Sequence, residues 1–203
     1  VNNCVTGGWE LGCRIDGCQT EYVRVPYADN GLTVIPDSLE YEDVIMISCI
    51  LPSGYFGAEL AEIKPGDVVV VLGAGPVGCT TMMCARLFGP AFIVAVDVID
   101  ERLEFAKRHG WCDVTVNPGK EDLDAIVKGL TDGRGADSVI EVAGGKDTFE
   151  TAWKVARPNG IVSLIAMYEE AQSLPLHLMY GKNLTFKTGG VDASHNDTLM
   201  KLI

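Results

Sequence analysis

DVVVVLGAGPVG (residues 67–78) and FIVAVD (residues 92–97) are the two runs of sequence that decide the fold. Each contains an aliphatic stretch that predicts a buried strand, and the residues between them have a helical pattern. In the spacing G-x-G-x-x-G, Gly73 permits a tight turn, Gly75 a close approach to a pyrophosphate and Gly78 close helix packing. The helix N-terminus then offers amide groups and a positive dipole end to phosphate. The pattern predicts a dinucleotide-binding unit, and the alternative is a purely structural turn.

Asp97 ends the second aliphatic run and gives the first indication of which dinucleotide binds. It follows Gly78 by about 20 residues, the spacing at which an acid binds the ribose hydroxyls of NAD. The same carboxylate repels the additional phosphate of NADP. The sequence therefore predicts NAD as the cofactor.

Strand and helix patterns continue to alternate after Asp97. Helical segments of this length between strands indicate parallel pairing, so the pattern predicts an α/β fold with a Rossmann, doubly wound parallel sheet of six strands. Ligands of such sheets bind at the carboxyl ends of the strands. The four further predicted strands are 113–116, 138–143, 161–166 and 184–187.

The segment before the glycine-rich turn has a different character. Residues 1–36 are rich in glycine and carry two alternating runs, 21–26 and 32–35, which predict strands of an antiparallel domain. Residues 39–63 have a helical pattern, which we expect Pro52-Ser53-Gly54 to interrupt. We therefore predict a β-rich remnant over residues 1–50 and the nucleotide-binding domain over residues 51–203.

Composition limits the partners and the compartment. The formal net charge of −12 argues against nucleic acid and against an anionic membrane as partners. No apolar run reaches the roughly 18 residues that a membrane span needs. Seven cysteines, an odd number, and an N-terminus without a signal-peptide pattern predict a reducing, cytoplasmic location.

A second clue is the block SCILPSGYFGAE, residues 48–59. On residue type alone, Cys49 is a buried inert thiol by default. The block nevertheless resembles the segment of zinc-type medium-chain alcohol dehydrogenases that carries a catalytic zinc ligand. Within that family, the sequence of residues 50–55 is most similar to the formaldehyde and threonine dehydrogenase-like branch. The resemblance extends over nearly the whole chain, and it implies that residues 1–50 are the end of a GroES-like catalytic domain.

The resemblance implies a role for each candidate site residue. Cys49 falls on the zinc-ligand position, as a catalytic and metal-binding residue. Ser53 falls near the nicotinamide, as a second catalytic residue that neighbours the ring or belongs to a proton relay. Three alternatives stay open: Cys49 without metal, Ser53 as a helix cap, and Arg102 as a solvated helix residue. The predicted cofactor-binding residues are Gly73, Gly75, Pro76, Val77 and Gly78 at the pyrophosphate, Asp97 and Arg102 at the adenosine ribose, Val142, Ala143 and Gly144 at the nicotinamide side, and Ala166 after the fifth strand.

The family's other zinc ligands come from a Cys and a Gly-His-Glu segment, which this sequence lacks. We expect them upstream of Val1, and we expect the family's closing elements after Ile203, so the chain is expected to be a fragment. A catalytic zinc needs about three protein ligands. We therefore expect the 203-residue chain to bind its cofactor without turnover.

The resemblance implies NAD and zinc as cofactors, with zinc as a Lewis acid on the alcohol oxygen and hydride passing to the nicotinamide. It implies an oxidoreductase that acts on a small alcohol or aldehyde and assembles as a homo-oligomer, a dimer or tetramer. The alternative is a stand-alone NAD-binding module without catalytic activity. A zinc-free quinone reductase fits less well, because it gives the block around Cys49 no purpose.

Overall fold

A computed structural model describes residues 10–191 and 194–203 of the chain. It divides the chain into two compact units. One unit contains Ser53–Gly189, and the other contains the residues up to Pro52 together with Gly190–Ile203. These bounds differ from the predicted domains, since the residues from Gly190 onward group with the N-terminal unit. The first nine residues of the predicted 1–50 remnant lie outside the described residues, and its GroES-like character stays a prediction.

The larger unit is built on a six-stranded sheet in the order β3-β2-β1-β4-β5-β6, and all neighbouring strands are parallel. This is the doubly wound arrangement in which the strand order reverses beside β1. The sequence predictions of an α/β class, six strands and a Rossmann architecture are confirmed. The strands are β1 Val68–Leu72, β2 Phe92–Val96, β3 Val114–Val116, β4 Ala136–Glu141, β5 Ala156–Leu164 and β6 Thr185–Thr188.

Burial explains why β1 lies at the centre. All five of its residues are buried, as a strand covered on both faces requires. Helices connect the strands of the larger unit, and short helices also occur in the smaller unit. In the described residues they are α1 Ala28–Gly31, α2 Tyr41–Val44, α3 Ile50–Leu60, α4 Pro76–Arg86, α5 Asp100–Arg108, α6 Leu123–Leu130, α7 Thr148–Val155, α8 Leu176–Met179 and α9 Asn196–Leu199, with a 3-10 helix over Ile45–Ser48.

Helix α3 runs without interruption through Pro52-Ser53-Gly54, so the predicted break there is wrong. Pro52 is the third residue of the helix, and a first-turn amide has no partner within the helix. The helical path breaks instead at Cys49, whose φ of −153° is not helical. Gly54 serves packing, because a β-carbon there would lie 2.5 Å from Thr80 Oγ1 on α4.

The predicted strands at 21–26 and 32–35 are also wrong. Within residues 10–52 the structure contains short helices and one isolated bridge, Leu11 to Ile15, and no strand. Alternating residues become a strand only when a neighbouring segment completes the ladder of hydrogen bonds. In this smaller unit, α9 packs on the 3-10 helix. The 3-10 helix buries the side chain of Ile47, and α9 buries that of Leu199.

No single helix in the described parts of the chain is long and apolar enough to cross a membrane. Tyr41–Ser48 and Ile50–Leu60 meet the length and composition criteria only as a bent pair.

Candidate functional site

The glycine-rich turn joins β1 to α4 in a geometry that requires its glycines. Gly73 has a φ of +107° and donates its amide hydrogen to Val96 O at 2.7 Å. A β-carbon on Gly78 would lie 1.9 Å from Gly73 O, so a side chain at Gly78 forces strand and helix apart. Pro76 is the first residue of α4, where its missing amide hydrogen costs no helical bond.

Gly75 differs from the other two glycines because the space around it is open. A β-carbon there would meet only Arg102 Nη1, at 3.9 Å. Gly75 is the N-cap of α4, an 11-residue helix whose first-turn amides have no partner within the helix. A phosphate group can therefore approach the Gly75 backbone and the positive end of α4 together.

Asp97, directly after β2, is fixed to this turn. Its Oδ2 accepts a hydrogen bond from the Ala74 amide at 2.8 Å, and its Oδ1 accepts one from the Ile99 amide at 3.0 Å. The Asp97 side chain is 7% exposed. Two backbone donors hold the carboxylate in one place beside the turn, where an acid can meet a ribose.

Arg102 on α5 brings a positive charge to the same place. Its Nη1 lies 3.6 Å from Asp97 Oδ2 and, as above, close to Gly75. Half of the Arg102 side chain is exposed, and its guanidinium borders the open space at Gly75. The structure thus brings together the predicted residues Gly73–Gly78, Asp97 and Arg102.

Val142, Ala143 and Gly144 follow β4 at the same edge of the sheet. The Val142 amide donates to Leu72 O at 3.0 Å, and a β-carbon on Gly73 would lie 3.2 Å from Ala143. Ala166 follows β5, and its amide donates to Glu141 O at 3.2 Å. Val142 and Ala143 therefore adjoin the glycine-rich turn, while Gly144 and Ala166 lie beside each other at the ends of β4 and β5.

Two residues in this region have contacts that the sequence patterns did not predict. Glu141, the last residue of β4, is fully buried, and its carboxylate accepts hydrogen bonds from the Ala143 and Gly144 amides. Tyr168 donates its hydroxyl hydrogen to Glu141 Oε2 at 2.5 Å. Burial and this hydrogen bond raise the pKa of Tyr168. An acid directly after the apolar pair Val139-Ile140, at the end of a buried strand, was the available signal for Glu141.

Cys79 lies beneath the turn on α4. Its Sγ donates to Ala74 O at 3.5 Å, and the thiol is buried. Burial raises the pKa of Cys79. The charges of Arg102 and Asp97 have smaller effects on this pKa: Arg102 lowers it and Asp97 raises it. The thiol therefore supports the turn as a protonated, neutral group.

The predicted zinc ligand lies in the smaller unit. Cys49 is exposed and follows the 3-10 helix, while Ser53 is buried in the first turn of α3. Among the residues that the structure describes, no three His, Cys, Asp or Glu side chains form a group that could hold a metal ion. The described residues alone thus do not fit a complete zinc site, and Cys49 as a ligand stays a prediction.

A nicotinamide dinucleotide, by contrast, fits the larger unit. Gly75 leaves room for phosphate, α4 offers its N-terminus, and a cation and an anion flank the turn. The turn and Asp97 lie at the carboxyl ends of β1 and β2, beside the point where the strand order reverses, and Arg102 reaches them from α5.

Comparison with known proteins agrees with this geometry. The model of a family described as zinc-binding dehydrogenase matches residues 76–198. An alcohol dehydrogenase of Cupriavidus necator is 43% identical over 171 residues, which cover 84% of this chain and 46% of that protein. A protein of Aspergillus flavus named zinc-type alcohol dehydrogenase B is 37% identical over 186 residues, covering 88% of this chain and 44% of that protein.

A third relative, named NADP-dependent isopropanol dehydrogenase, comes from Thermoanaerobacter brockii and is 34% identical over 182 residues. The match covers 89% of this chain and 51% of that protein. The chain therefore spans about half the length of these curated relatives.

Solved structures show the same fold. The apo form of zinc-dependent alcohol dehydrogenase 2 from Streptococcus pneumonia superposes with a TM-score of 0.84 at 35% identity, covering 92% of this chain and 53% of that one. Alcohol dehydrogenase TADH from Thermus sp. ATN1 gives a TM-score of 0.85 at 34% identity, with 92% and 54% covered. The formaldehyde and threonine dehydrogenase-like branch stays a prediction. The family match and the geometry of the turn together show that the chain belongs to the zinc-binding dehydrogenase family.

Proposed function

We propose that this chain is the cofactor-binding portion of an oxidoreductase that transfers hydride between NAD and a small alcohol or aldehyde. One observation carries the proposal: the glycine-rich turn, Asp97 and Arg102 converge beside the central strand. The names of the relatives, which are alcohol dehydrogenases, support the substrate class.

The adenosine half of the cofactor is held by charge and by backbone groups. The pyrophosphate binds over Gly75, Pro76, Val77 and Gly78, where the helix dipole and the amides of the first turn favour an anion. Arg102 lies close enough to Gly75 to add a positive charge on that side. The Asp97 carboxylate accepts hydrogen bonds from the adenosine ribose.

Asp97 also supports NAD over NADP. Its carboxylate is fixed by the Ala74 amide, so it does not turn away from an incoming phosphate. The next two residues, Val98 and Ile99, are exposed and apolar, which offers a phosphate no positive charge there. The Thermoanaerobacter brockii relative is named NADP-dependent, so the preference is expected to depend on side chains at this strand end.

The nicotinamide half lies along Val142, Ala143, Gly144 and Ala166, at the ends of β4 and β5. The bound nicotinamide ring supplies the hydride acceptor or donor, and the protein supplies its position. Ser53, buried on α3 in the same unit, is proposed as a neighbour of this half.

Cys49 is proposed as one thiolate ligand of a zinc ion. Its exposure permits metal binding, and thiolate is a preferred zinc ligand. Because the described residues do not form a complete metal site, we derive no chemical step through zinc. Substitution Cys49→Ser in a longer, zinc-binding form of the protein, with zinc analysis by mass spectrometry, tests this ligand: equal zinc content in the variant and the unmodified protein contradicts it.

Strand β6 is proposed as the surface through which copies of the chain associate. It is an edge strand of the sheet, with β5 as its neighbour, and an edge presents backbone groups that a second strand can pair with. Sedimentation analysis that shows only monomers at high protein concentration contradicts this proposal.

A cytoplasmic location is proposed from the odd number of cysteines.

The function is tested by measuring binding and turnover on the same preparation. We expect the 203-residue chain to quench or enhance NADH fluorescence on saturable binding and to leave ethanol and propan-2-ol unoxidised with NAD and added zinc. Binding without turnover also fits the alternative of a stand-alone NAD-binding module, which a longer form of the protein with dehydrogenase activity would exclude. Absence of NADH binding contradicts both, and turnover with stoichiometric zinc contradicts the expected inactivity of the chain.

A further inference from the structure

Glu141 is the fully buried acid at the end of β4, and both of its carboxylate oxygens have partners. Oε1 accepts hydrogen bonds from the Ala143 amide at 2.8 Å and the Gly144 amide at 2.9 Å. Oε2 accepts the Tyr168 hydroxyl. A buried carboxylate is costly unless it is hydrogen-bonded, so these three donors are what allows an acid at this position.

The turn that Glu141 holds has little freedom to move. On one side, Ala143 packs against the backbone of Gly73, where a β-carbon would be 3.2 Å away. On the other side, Gly144 has a φ of +67°, and a β-carbon on it would lie 2.8 Å from Met167 O. The Glu141 carboxylate therefore holds the 142–144 turn, which packs between the end of β1 and the segment after β5.

Tyr168 closes this arrangement from the segment after β5. Its ring packs on the apolar cluster of Phe149, Trp153 and Met179, and its oxygen lies 3.5 Å from Thr148 Oγ1. Thr148 Oγ1 in turn donates to Gly145 O at 2.8 Å. The hydroxyl thereby joins the segment after β5, the turn after β4 and the start of α7.

We propose that Glu141 and Tyr168 are positioning residues that hold the 142–144 turn in place for the nicotinamide half of the cofactor. The inference rests on the proposed function, because it assumes that this turn lies beside the nicotinamide. It goes further by assigning the alignment of that half to a buried carboxylate and a hydroxyl that do not themselves contact the ring. The contacts that hold Asp97 and Arg102 at the adenosine half do not include Glu141 or Tyr168.

The test compares two ligands that share the adenosine half. NADH contains both halves of the cofactor, and ADP-ribose lacks the nicotinamide. Calorimetric titration of Tyr168→Phe, which removes one hydrogen bond and keeps the ring, is expected to weaken NADH binding by about three- to tenfold. Binding of ADP-ribose is expected to change by less than about twofold, because the contacts of Asp97 and Arg102 do not involve Tyr168.

Glu141→Gln provides rescue by a conservative change. The glutamine oxygen can still accept from the two amides, and its NH2 group can donate to the Tyr168 oxygen once that hydroxyl turns. We expect its ratio of NADH to ADP-ribose affinity to stay close to the unmodified ratio, while Glu141→Ala lowers it. Ser138→Ala is the matched control, since it removes a buried hydrogen bond, to Ala61 O, from the same strand.

Each outcome separates the inference from the function it rests on. Equal weakening of both ligands in Tyr168→Phe, or an unchanged NADH affinity despite a lower melting temperature, overturns the inference and leaves the proposed function intact. If Glu141→Ala does not fold, Tyr168→Phe and Glu141→Gln still decide. An unmodified chain that binds neither ligand refutes the proposed function and, with it, the inference.

Discussion

The Asp97 carboxylate accepts a hydrogen bond from the Ala74 main-chain amide, with 2.8 Å between oxygen and nitrogen. This bond joins the end of β2 to the glycine-rich turn at the end of β1. Asp97, which we expect to bind the adenosine ribose, therefore also holds in place the turn that we expect to bind the pyrophosphate. Changes at Asp97 are therefore expected to affect both the choice of dinucleotide and the order of the turn.

Asp97→Asn is predicted to reduce the preference for NADH over NADPH. The amide oxygen can still accept the Ala74 hydrogen, so this contact to the turn is kept. The hydrogen bond from the Ile99 amide and the negative charge that repels a phosphate are lost. We expect the dissociation constant of NADPH divided by that of NADH to fall by about tenfold, a change of about 1.4 kcal/mol in relative binding free energy. The measurement is fluorescence titration with each dinucleotide.

Asp124→Asn is the matched control for that charge. Asp124 is on the surface of α6 and pairs with Lys128 one turn later, so its removal changes the net charge equally. We expect it to leave the ratio unchanged. A ratio that falls equally in both variants would mean that overall charge, not Asp97, sets the preference.

Gly78→Ala is predicted to destabilise the protein and abolish dinucleotide binding. Its β-carbon would lie 1.9 Å from Gly73 O, a backbone atom that can move only if β1 and α4 separate. We expect a loss of about 2 kcal/mol or more in the free energy of unfolding, measured with urea.

Gly129→Ala on α6 is the control for the same change of residue. No atom lies within 4 Å of a β-carbon there, and alanine favours helix over glycine. We expect this variant to gain about 0.5–1 kcal/mol of stability and to bind NADH normally. A Gly78→Ala protein as stable as Gly129→Ala would show that the close approach is not required.

Asp113→Asn is predicted to weaken the fold near neutral pH and not in acid. Asp113 accepts from Arg86 at 2.8 Å and from the Ile93 amide at 2.7 Å. Burial raises the pKa of Asp113, but the Arg86 hydrogen bond and the Ile93 amide outweigh it, and the pKa lies below its ordinary value. A carboxyl with a depressed folded-state pKa stabilises the protein above its unfolded pKa, about 4, and that stability is lost as the pH falls through the folded value.

The expected difference in unfolding free energy between the unmodified protein and Asp113→Asn is about 1 kcal/mol near neutral pH. It should shrink toward zero in acid as the pH falls through the depressed folded-state pKa of Asp113, because the carboxyl is then protonated in both folded and unfolded chains. Urea denaturation at a series of pH values measures it. A difference that is constant with pH would contradict the role of the charge.

Cysteine labelling is predicted to distinguish buried from exposed thiols. Burial raises the pKa of Cys84 to about 12, so its reactive thiolate is scarce at neutral pH. Cys13 and Cys18 are exposed. We expect a thiol reagent followed by peptide mass mapping to label Cys13 and Cys18 at least about a hundredfold faster than Cys84 in the folded protein, and all three equally in urea. Fast labelling of Cys84 without denaturant would contradict its burial.

The sequence predicts the parts of the site whose requirement is local. Gly73 and Gly78 have to be glycine because of the turn they form, and Asp97 follows at a fixed spacing, so a short window contains the whole signal. Glu141 was not predicted as a support because its partner Tyr168 comes from the segment after the next strand. The strand predicted at 21–26 fails for a related reason: alternation alone does not say whether a pairing neighbour exists.

Pro52 and Gly54 show the same limit within one helix. A proline predicts a break only when the position where the helix begins is known, and here it stands in the first turn of α3. Gly54 was interpreted as a breaker, whereas its role is the close approach to Thr80 on α4. That approach depends on tertiary packing, which leaves no mark in the local sequence.

The central claim is that a nicotinamide dinucleotide binds at the glycine-rich turn, and amide chemical shifts test it most directly. In nitrogen-15 labelled protein titrated with NADH, we expect the resonances of Gly73, Gly75 and Gly78 to shift and saturate at one equivalent. The resonance of Gly129 on α6 should stay unchanged. Saturable shifts confined to other parts of the protein, or no shifts at all, would contradict the claim.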